Sequence, residues 1–105
     1  MIMFNFDTPS EVIEAQRGTA RTRVTQYFNQ DQVHAGLWEC WEGSFDIDAH
    51  PVHEVCHILE GTALISQADG SQTEVTAGDA FFIPKGTPTF WKVDTFIKKV
   101  YMVAP

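Results

Sequence analysis

Asp48-Ala49-His50-Pro51-Val52-His53-Glu54-Val55-Cys56-His57-Ile58-Leu59-Glu60-Gly61 and, further along, Gly78-Asp79-Ala80-Phe81-Phe82-Ile83-Pro84-Lys85-Gly86-Thr87-Pro88-Thr89 are the two stretches that decide the fold. Each reads as a strand closed by a tight turn. β-Branched and aromatic residues favour the extended chain, and glycine tolerates the backbone geometry of a reversal. Pro84 ends its strand by removing a ladder donor. The first stretch also gathers imidazoles and carboxylates, the side chains a divalent cation takes as ligands.

Outward from these stretches the chain reads as short strands split by turn residues. Residues 22–28 are rich in Thr, Val and aromatics, and Asn29-Gln30-Asp31-Gln32 is a polar turn. Residues 35–41 form the next strand, closed by Glu42-Gly43-Ser44, and residues 45–48 form a short one. Residues 54–59 lead into Glu60-Gly61. Residues 62–67 pair with 72–76 across Ala68-Asp69-Gly70-Ser71, a hairpin pattern. Residues 80–83, 89–93 and 96–103 complete the set. Many short strands at this spacing indicate an all-β sandwich or barrel. At the other end, Thr8-Pro9-Ser10-Glu11 has the pattern of a capping box with proline at the first helical position. Val12, Ile13 and Ala15 follow as a short apolar face and Gly18 stops it, which predicts one short helix. The expected division is an N-terminal segment, 1–21, and a β domain, 22–105.

The chain has 105 residues, about the commonest domain size, enough for one core without staples. A hydrophobic fraction of 44% is that of an ordinary globular protein. A formal charge of −7 argues against nucleic acid and against an anionic membrane surface. No apolar run approaches membrane-spanning length. The start, Met1-Ile2-Met3-Phe4-Asn5-Phe6-Asp7, lacks the basic opening of a signal peptide. The two cysteines, Cys40 and Cys56, are not needed as a disulfide in a chain of this size, so a reduced cytoplasmic protein is expected.

With those anchors in place, the chain resembles a cupin. The usual first motif has two histidines one residue apart, then a glutamate, then a glycine; Glu54, Gly61 and His50 occupy the last positions, and Asp48 stands at the first histidine. In the second motif Gly78, Pro84 and Gly86 match, with Thr89 at the third histidine and Val93 at an asparagine. Trp38-Glu39-Cys40-Trp41-Glu42-Gly43-Ser44-Phe45, Leu59-Glu60-Gly61, Gly78-Asp79-Ala80-Phe81, Pro84-Lys85-Gly86, Trp91-Lys92-Val93 and Lys98-Lys99-Val100-Tyr101 are similar to the small single-domain cupins grouped with ureidoglycine aminohydrolase and the ethanolamine-utilisation cupins (RmlC-like, DUF861). The similarity covers roughly residues 22 to 103. It implies an all-β jelly-roll barrel, here with the short N-terminal helix, and a homodimer, which would also protect strand edges.

The site is expected around Asp48, His50 and Glu54, which share even parity along an extended chain and so face one side. One imidazole and two carboxylates suit Mn, Fe, Ni or Zn, and the aminohydrolase branch implies a carboxylate-x-histidine metal site with vacant positions for substrate. The competing reading places Asp48 and His50 on a loop without metal and leaves Glu54 in an apolar barrel, its pKa pushed up, as a general base. Cys56 shares Glu54's parity and either faces the pocket or fills the core. Thr89 and Trp91 share a face and either shape a ligand site or plug the barrel. His34, His53 and His57 read as structural. Of Trp38 and Trp41 at most one faces inward, and the other is a candidate for a dimer surface. Lys99 and Tyr101 share a face of the last strand, where the resemblance points to a lysine paired with a carboxylate and the plain alternative is a solvated one.

Three functions follow. The first is a metal-assisted hydrolase or related enzyme on a small nitrogen-containing or carboxylated metabolite. The second is a non-catalytic small-molecule binder or auxiliary protein, and the third a metal-free isomerase or lyase using Glu54. Ureidoglycine itself is disfavoured, because that enzyme carries two cupin units. No helix-turn-helix pattern is visible, which disfavours a transcription regulator.

Overall fold

The computed structural model describes residues 1–7 and 11–105, and the described chain contains seven strands and no helix. These are β1 (Glu11–Arg17), β2 (Ala20–Gln30), β3 (Val33–Ile47), β4 (His53–Gln67), β5 (Gln72–Thr76), β6 (Ala80–Ile83) and β7 (Thr89–Ala104). The capping residues Thr8, Pro9 and Ser10 lie outside the described residues. Val12, Ile13 and Ala15, expected on a helix, belong to β1, which pairs antiparallel with β2 from Glu11↔Gln26 to Arg17↔Ala20. The local pattern was ambiguous because three apolar residues in five satisfy either period. Pairing with β2 satisfies one row of backbone groups that a lone short helix could not stabilise by packing.

The strands run in the order β1-β2-β3-β7-β4-β5, with β6 also paired to β4. All pairings are antiparallel. The all-β jelly-roll expectation stands. Three strands are longer than the sequence suggests. β3, β4 and β7 each run through a region that reads as a break. Pairing of β3 with β7 shifts register between Trp41 and Gly43, and pairing of β4 with β7 shifts between Ile58 and Glu60 and again between Gly61 and Leu64. These are bulges, which bend a strand without ending it. Gly43 has φ 147°, and a Cβ there would sit 2.6 Å from the Ala20 Cα. Gly61 has φ 78°, and a Cβ there would run into the Phe96 carbonyl oxygen. Both glycines permit close backbone contact inside a continuous strand.

The bends let both halves of the sheet enclose one core. Trp38, Phe45, Ile58, Ile65, Val75, Ile83, Trp91, Val93 and Ile97 are buried in it. One cross-strand row, Ile13, Val24, Trp38, Lys99 and Ile58, runs through β1, β2, β3, β7 and β4. That register inserts a lysine between a tryptophan and an isoleucine on the inner face. A row three positions along, on the opposite face, comprises Ala35, Met102, Val55 and Phe82 and ends in three exposed apolar side chains.

Candidate binding site

Glu54 is the second residue of β4, and strand alternation turns it inward with Cys56 and Ile58 while Val55 and His57 face out. His50 arrives from the loop between β3 and β4. Its backbone N–H donates to the Thr87 carbonyl (3.0 Å), and the Gly86 N–H donates to the His50 carbonyl (2.8 Å). The turn after Pro84 therefore clamps the loop that carries His50. The two informative stretches of sequence meet here, and the second acts by backbone contacts rather than by a ligand side chain.

Inside the barrel, Glu54 is held from two sides. His50 Nε2 lies 2.7 Å from Oε1, and Lys99 Nζ donates to Oε2 at 2.8 Å. All three residues are buried, at 5–6% exposure. The Lys99 ammonium also sits 4.5 Å from the ring centroid of Trp38 and 4.9 Å from that of Trp91, which is cation–π geometry. Burial alone would push the Glu54 pKa up. The Lys99 charge, with hydrogen bonds from His50 and Lys99, outweighs it and brings the carboxyl down to about 2. Burial would likewise lower Lys99, but the charge of Glu54 keeps it above its ordinary value. Tyr101 is pushed up to about 12, by burial first and then by the charges of Glu54 and Glu11. Glu54 is thus an ionised carboxylate with low basicity. The expected upward shift is corrected to a downward one, because a lysine 45 residues along the chain reaches the carboxylate across the β4–β7 pairing.

Above this group opens a cavity of about 230 Å³. Trp38, Phe45 and Trp91 form its aromatic wall, and His50, Glu54 and Lys99 contribute its polar part. Phe45 stacks on Trp91 at 5.8 Å, and Trp38 meets both rings edge-on at 5.9 and 5.6 Å. Trp91 Nε1 donates to Thr89 Oγ1 (3.1 Å), which fixes the indole. Arg17, at the exposed end of β1, also lines the cavity and has no ion-pair partner among the described residues. The cavity therefore carries two cations against one carboxylate, in a chain of net charge −7.

The structure unites part of the expected set. His50 and Glu54 meet and Trp91 lines the cavity. Asp48 does not join them. It is exposed on the bend after β3 and lines a separate surface cavity with Thr89 and Phe90. The parity argument fails there because β3 ends at Ile47 and the bend resets alternation before β4 begins. Among the described residues, no group of three or more His, Cys, Asp or Glu side chains is placed to hold a metal ion. The two donors that do meet are spent on each other, and an ammonium stands against the carboxylate, so this set does not fit a divalent cation. Thr89 lines two other cavities and not this one. Cys56 is fully buried, its thiol pushed up to about 12 chiefly by burial and lying 3.7 Å from Lys99 Nζ, off the cavity wall. Trp41 is half-buried, with Arg21 at 4.5 Å over its ring and Phe96 at 5.4 Å beside it. His53 is structural: its Nδ1 accepts the Lys85 N–H (3.0 Å) and its ring stacks on Phe82. Lys99 is the buried, carboxylate-paired lysine. Arg17 was missed, because its segment reads as helix; the period-two series Ile13, Ala15, Arg17 was the available signal.

A model of the EutQ-like cupin domain matches residues 29–101. The chain is 29% identical over 82 residues to the raffinose operon transcriptional regulatory protein RafR of Pediococcus pentosaceus, a stretch that makes up 73% of this chain and 28% of that protein. This chain thus spans less than a third of that relative's length. The EutQ protein of Clostridium difficile superposes with a TM-score of 0.73 at 23% identity, over 83% of this chain and 70% of its own. A DUF861 family protein from Thermotoga maritima superposes with a TM-score of 0.58 at 34% identity, over 62% of this chain and 73% of its own.

Proposed function

The chain belongs to the family of EutQ-like cupin domains, and on that footing we propose that its barrel binds a small carboxylate metabolite with an apolar body. The observation that carries this reading is the aromatic cavity with an internally neutralised Glu54–Lys99 pair in its wall and, beside it, the Arg17 guanidinium, which has no ion-pair partner among the described residues. A cavity of about 230 Å³ lies below the range for drug-sized ligands, so the occupant is small. Trp38, Phe45 and Trp91 supply apolar contact, and Arg17 supplies a planar fork that matches a carboxylate. Likeness to part of a transcriptional regulatory protein favours binding without turnover. Both cysteines are free and buried, consistent with a reducing compartment such as the cytoplasm.

No metal enters this reading. The hydrolase alternative needs a cation where Lys99 places an ammonium, and the Glu54 isomerase alternative needs a stronger base than a carboxyl of pKa about 2. Elemental analysis of untagged protein is expected to show no stoichiometric transition metal, and one ion per chain would overturn the reading. The direct test is a thermal-shift and calorimetric screen with propionate, butyrate and phenylacetate beside their uncharged amides. A carboxylate at ~100-fold its Kd should add about 3 kcal/mol of stability. Arg17→Gln should weaken it about tenfold, since charge-assisted pairs contribute about 1.5–3 kcal/mol. Equal binding of acids and amides would refute the carboxylate assignment.

We propose that the chain forms a homodimer, and that the outer face of β4, β6 and β7 is its interface. Val55, Phe82 and Met102 are direct cross-strand neighbours there and remain 44–55% exposed in the single chain. A contiguous apolar row of this kind is what a self-complementary interface covers.

A further inference from the structure

Tyr101 brings to the cavity a hydroxyl that the Glu54–Lys99 pair does not use. It lies two positions beyond Lys99 on β7, so alternation turns it to the same inner face, and it lines the cavity. Its cross-strand neighbours are Gly36, which has no side chain, and Cys56, which is small. The hydroxyl makes no hydrogen bond among the described residues. It is not sealed in either, since the buried side-chain polar atoms without a partner there are Tyr27 Oη and His50 Nδ1. The residue is 9% exposed, and the surface that remains is at the cavity it lines. Burial first, and then the charges of Glu54 and Glu11, push the phenol up to about 12, so it stays a neutral donor.

The strand register sets this hydroxyl and Arg17 at opposite ends of the cavity. Along β3 the inner wall runs Phe45, Trp38, Gly36, paired with Trp91, Lys99 and Tyr101 of β7. Arg17 enters at the Phe45 end: it pairs with Ala20, and in the turn between them the Thr19 N–H donates to the Ser44 carbonyl (3.0 Å). Tyr101 stands at the other end, in the cross-strand row of Gly36, Gln26 and Glu11. Glu11 and Arg17 bound β1, so the two rows are ~20 Å apart along extended backbone, a span that two inward-reaching side chains shorten. Resting on the carboxylate reading above, we propose that Tyr101 donates a hydrogen bond to the far end of the ligand, so that the site takes monocarboxylates with a neutral acceptor oxygen at the opposite end of an apolar body. Arg17 takes the carboxylate, Trp38, Phe45 and Trp91 take the carbon body, and Tyr101 takes the distal oxygen. A second carboxylate at that end would meet the charges of Glu54 and Glu11.

Calorimetry on the intact chain tests this with pairs of similar shape, 4-oxopentanoate against 4-methylpentanoate and 4-hydroxyphenylacetate against 4-methylphenylacetate. The oxygen-bearing acid of each pair should bind about fivefold tighter, the gain of one hydrogen bond. 2-Oxopentanoate, whose carbonyl adjoins the carboxylate, should show no such gain over pentanoate, and pentanedioate should bind more weakly than 4-oxopentanoate. Tyr101→Phe removes an oxygen without a protein partner; it should erase the preference and leave the affinity for the methyl acids unchanged. The chain has two tyrosines, so Tyr27 is an internal control. With their ring carbons labelled, 4-oxopentanoate should move the Cζ resonance of Tyr101 and leave that of Tyr27 in place. Equal affinity within each wild-type pair, or a preference that survives Tyr101→Phe, overturns the distal-oxygen assignment and leaves the carboxylate reading intact. Failure of every acid to bind sinks both.

Discussion

Lys99 carries more of the site than any other residue. Its ammonium neutralises a buried carboxylate and packs against two indoles. Lys99→Met should therefore destabilise the fold by about 3–5 kcal/mol, because it strands a buried charge. The sign of the acid response should change with it. In the natural protein the Glu54 carboxyl goes from 4.5 to about 2 on folding. That contributes about 3 kcal/mol above pH 4.5, lost as pH falls toward 2. Without Lys99, only the hydrogen bonds from His50 and Cys56 oppose burial, the largest effect, and the folded carboxyl is expected above its unfolded value. Stability then falls as pH rises through that region. Chemical denaturation of both proteins between pH 3 and 7 checks the reversal; a parallel response would refute the ion-pair account. At this scale the sequence displayed His50, Glu54 and the facing of Lys99. It could not display Asp48's departure, because side-chain parity holds only within an unbroken strand. Nor could it display Glu54's low pKa, because the partner lies 45 residues away and pairing register alone unites them.

Strands β3, β4 and β7 depend on their bulges. Gly61→Ala would force a Cβ against the Phe96 carbonyl oxygen at positive φ, and a loss of about 3 kcal/mol or more is expected in urea denaturation. The β2–β3 turn offers the opposite case. Asp31 and Gln32 have φ of 53° and 65°, the signs of a two-residue turn whose favoured second residue is glycine. Gln32→Gly should stabilise by about 1 kcal/mol, raising Tm by roughly 4–8 °C in a domain near this size. An unchanged Tm would show that the Gln32 side chain compensates. Turn chemistry also explains what was readable here. The hairpin of β4 and β5 and the strand 80–83 were legible because polar turn residues bracket them. Gly43 and Gly61 misled, since a glycine that bends a strand has the same local signature as one that ends it. β1 misled because three apolar residues fit two periods, and only pairing with β2 chooses.

At the scale of the molecule, the outer row of Val55, Phe82 and Met102 sets the expected association. Light scattering should give about twice the 11.8 kDa chain mass, and paired Phe82→Glu and Met102→Glu substitutions should halve it without unfolding. A wild-type mass of a single chain would remove the interface. Composition foreshadowed a globular β domain but could not locate this surface, because alternation marks the outer face without saying whether it is covered. No helix among the described residues is long and apolar enough to cross a membrane.

The placement of β7 between β3 and β4 has a temporal consequence. Until the sixteen residues of that strand have been synthesised, β1–β3 and β4–β6 are two half-sheets with raw edges and nothing to join them. The nascent chain therefore cannot mature by halves: closure is a late event, and it delivers Lys99 to Glu54 in the same movement that seals the barrel.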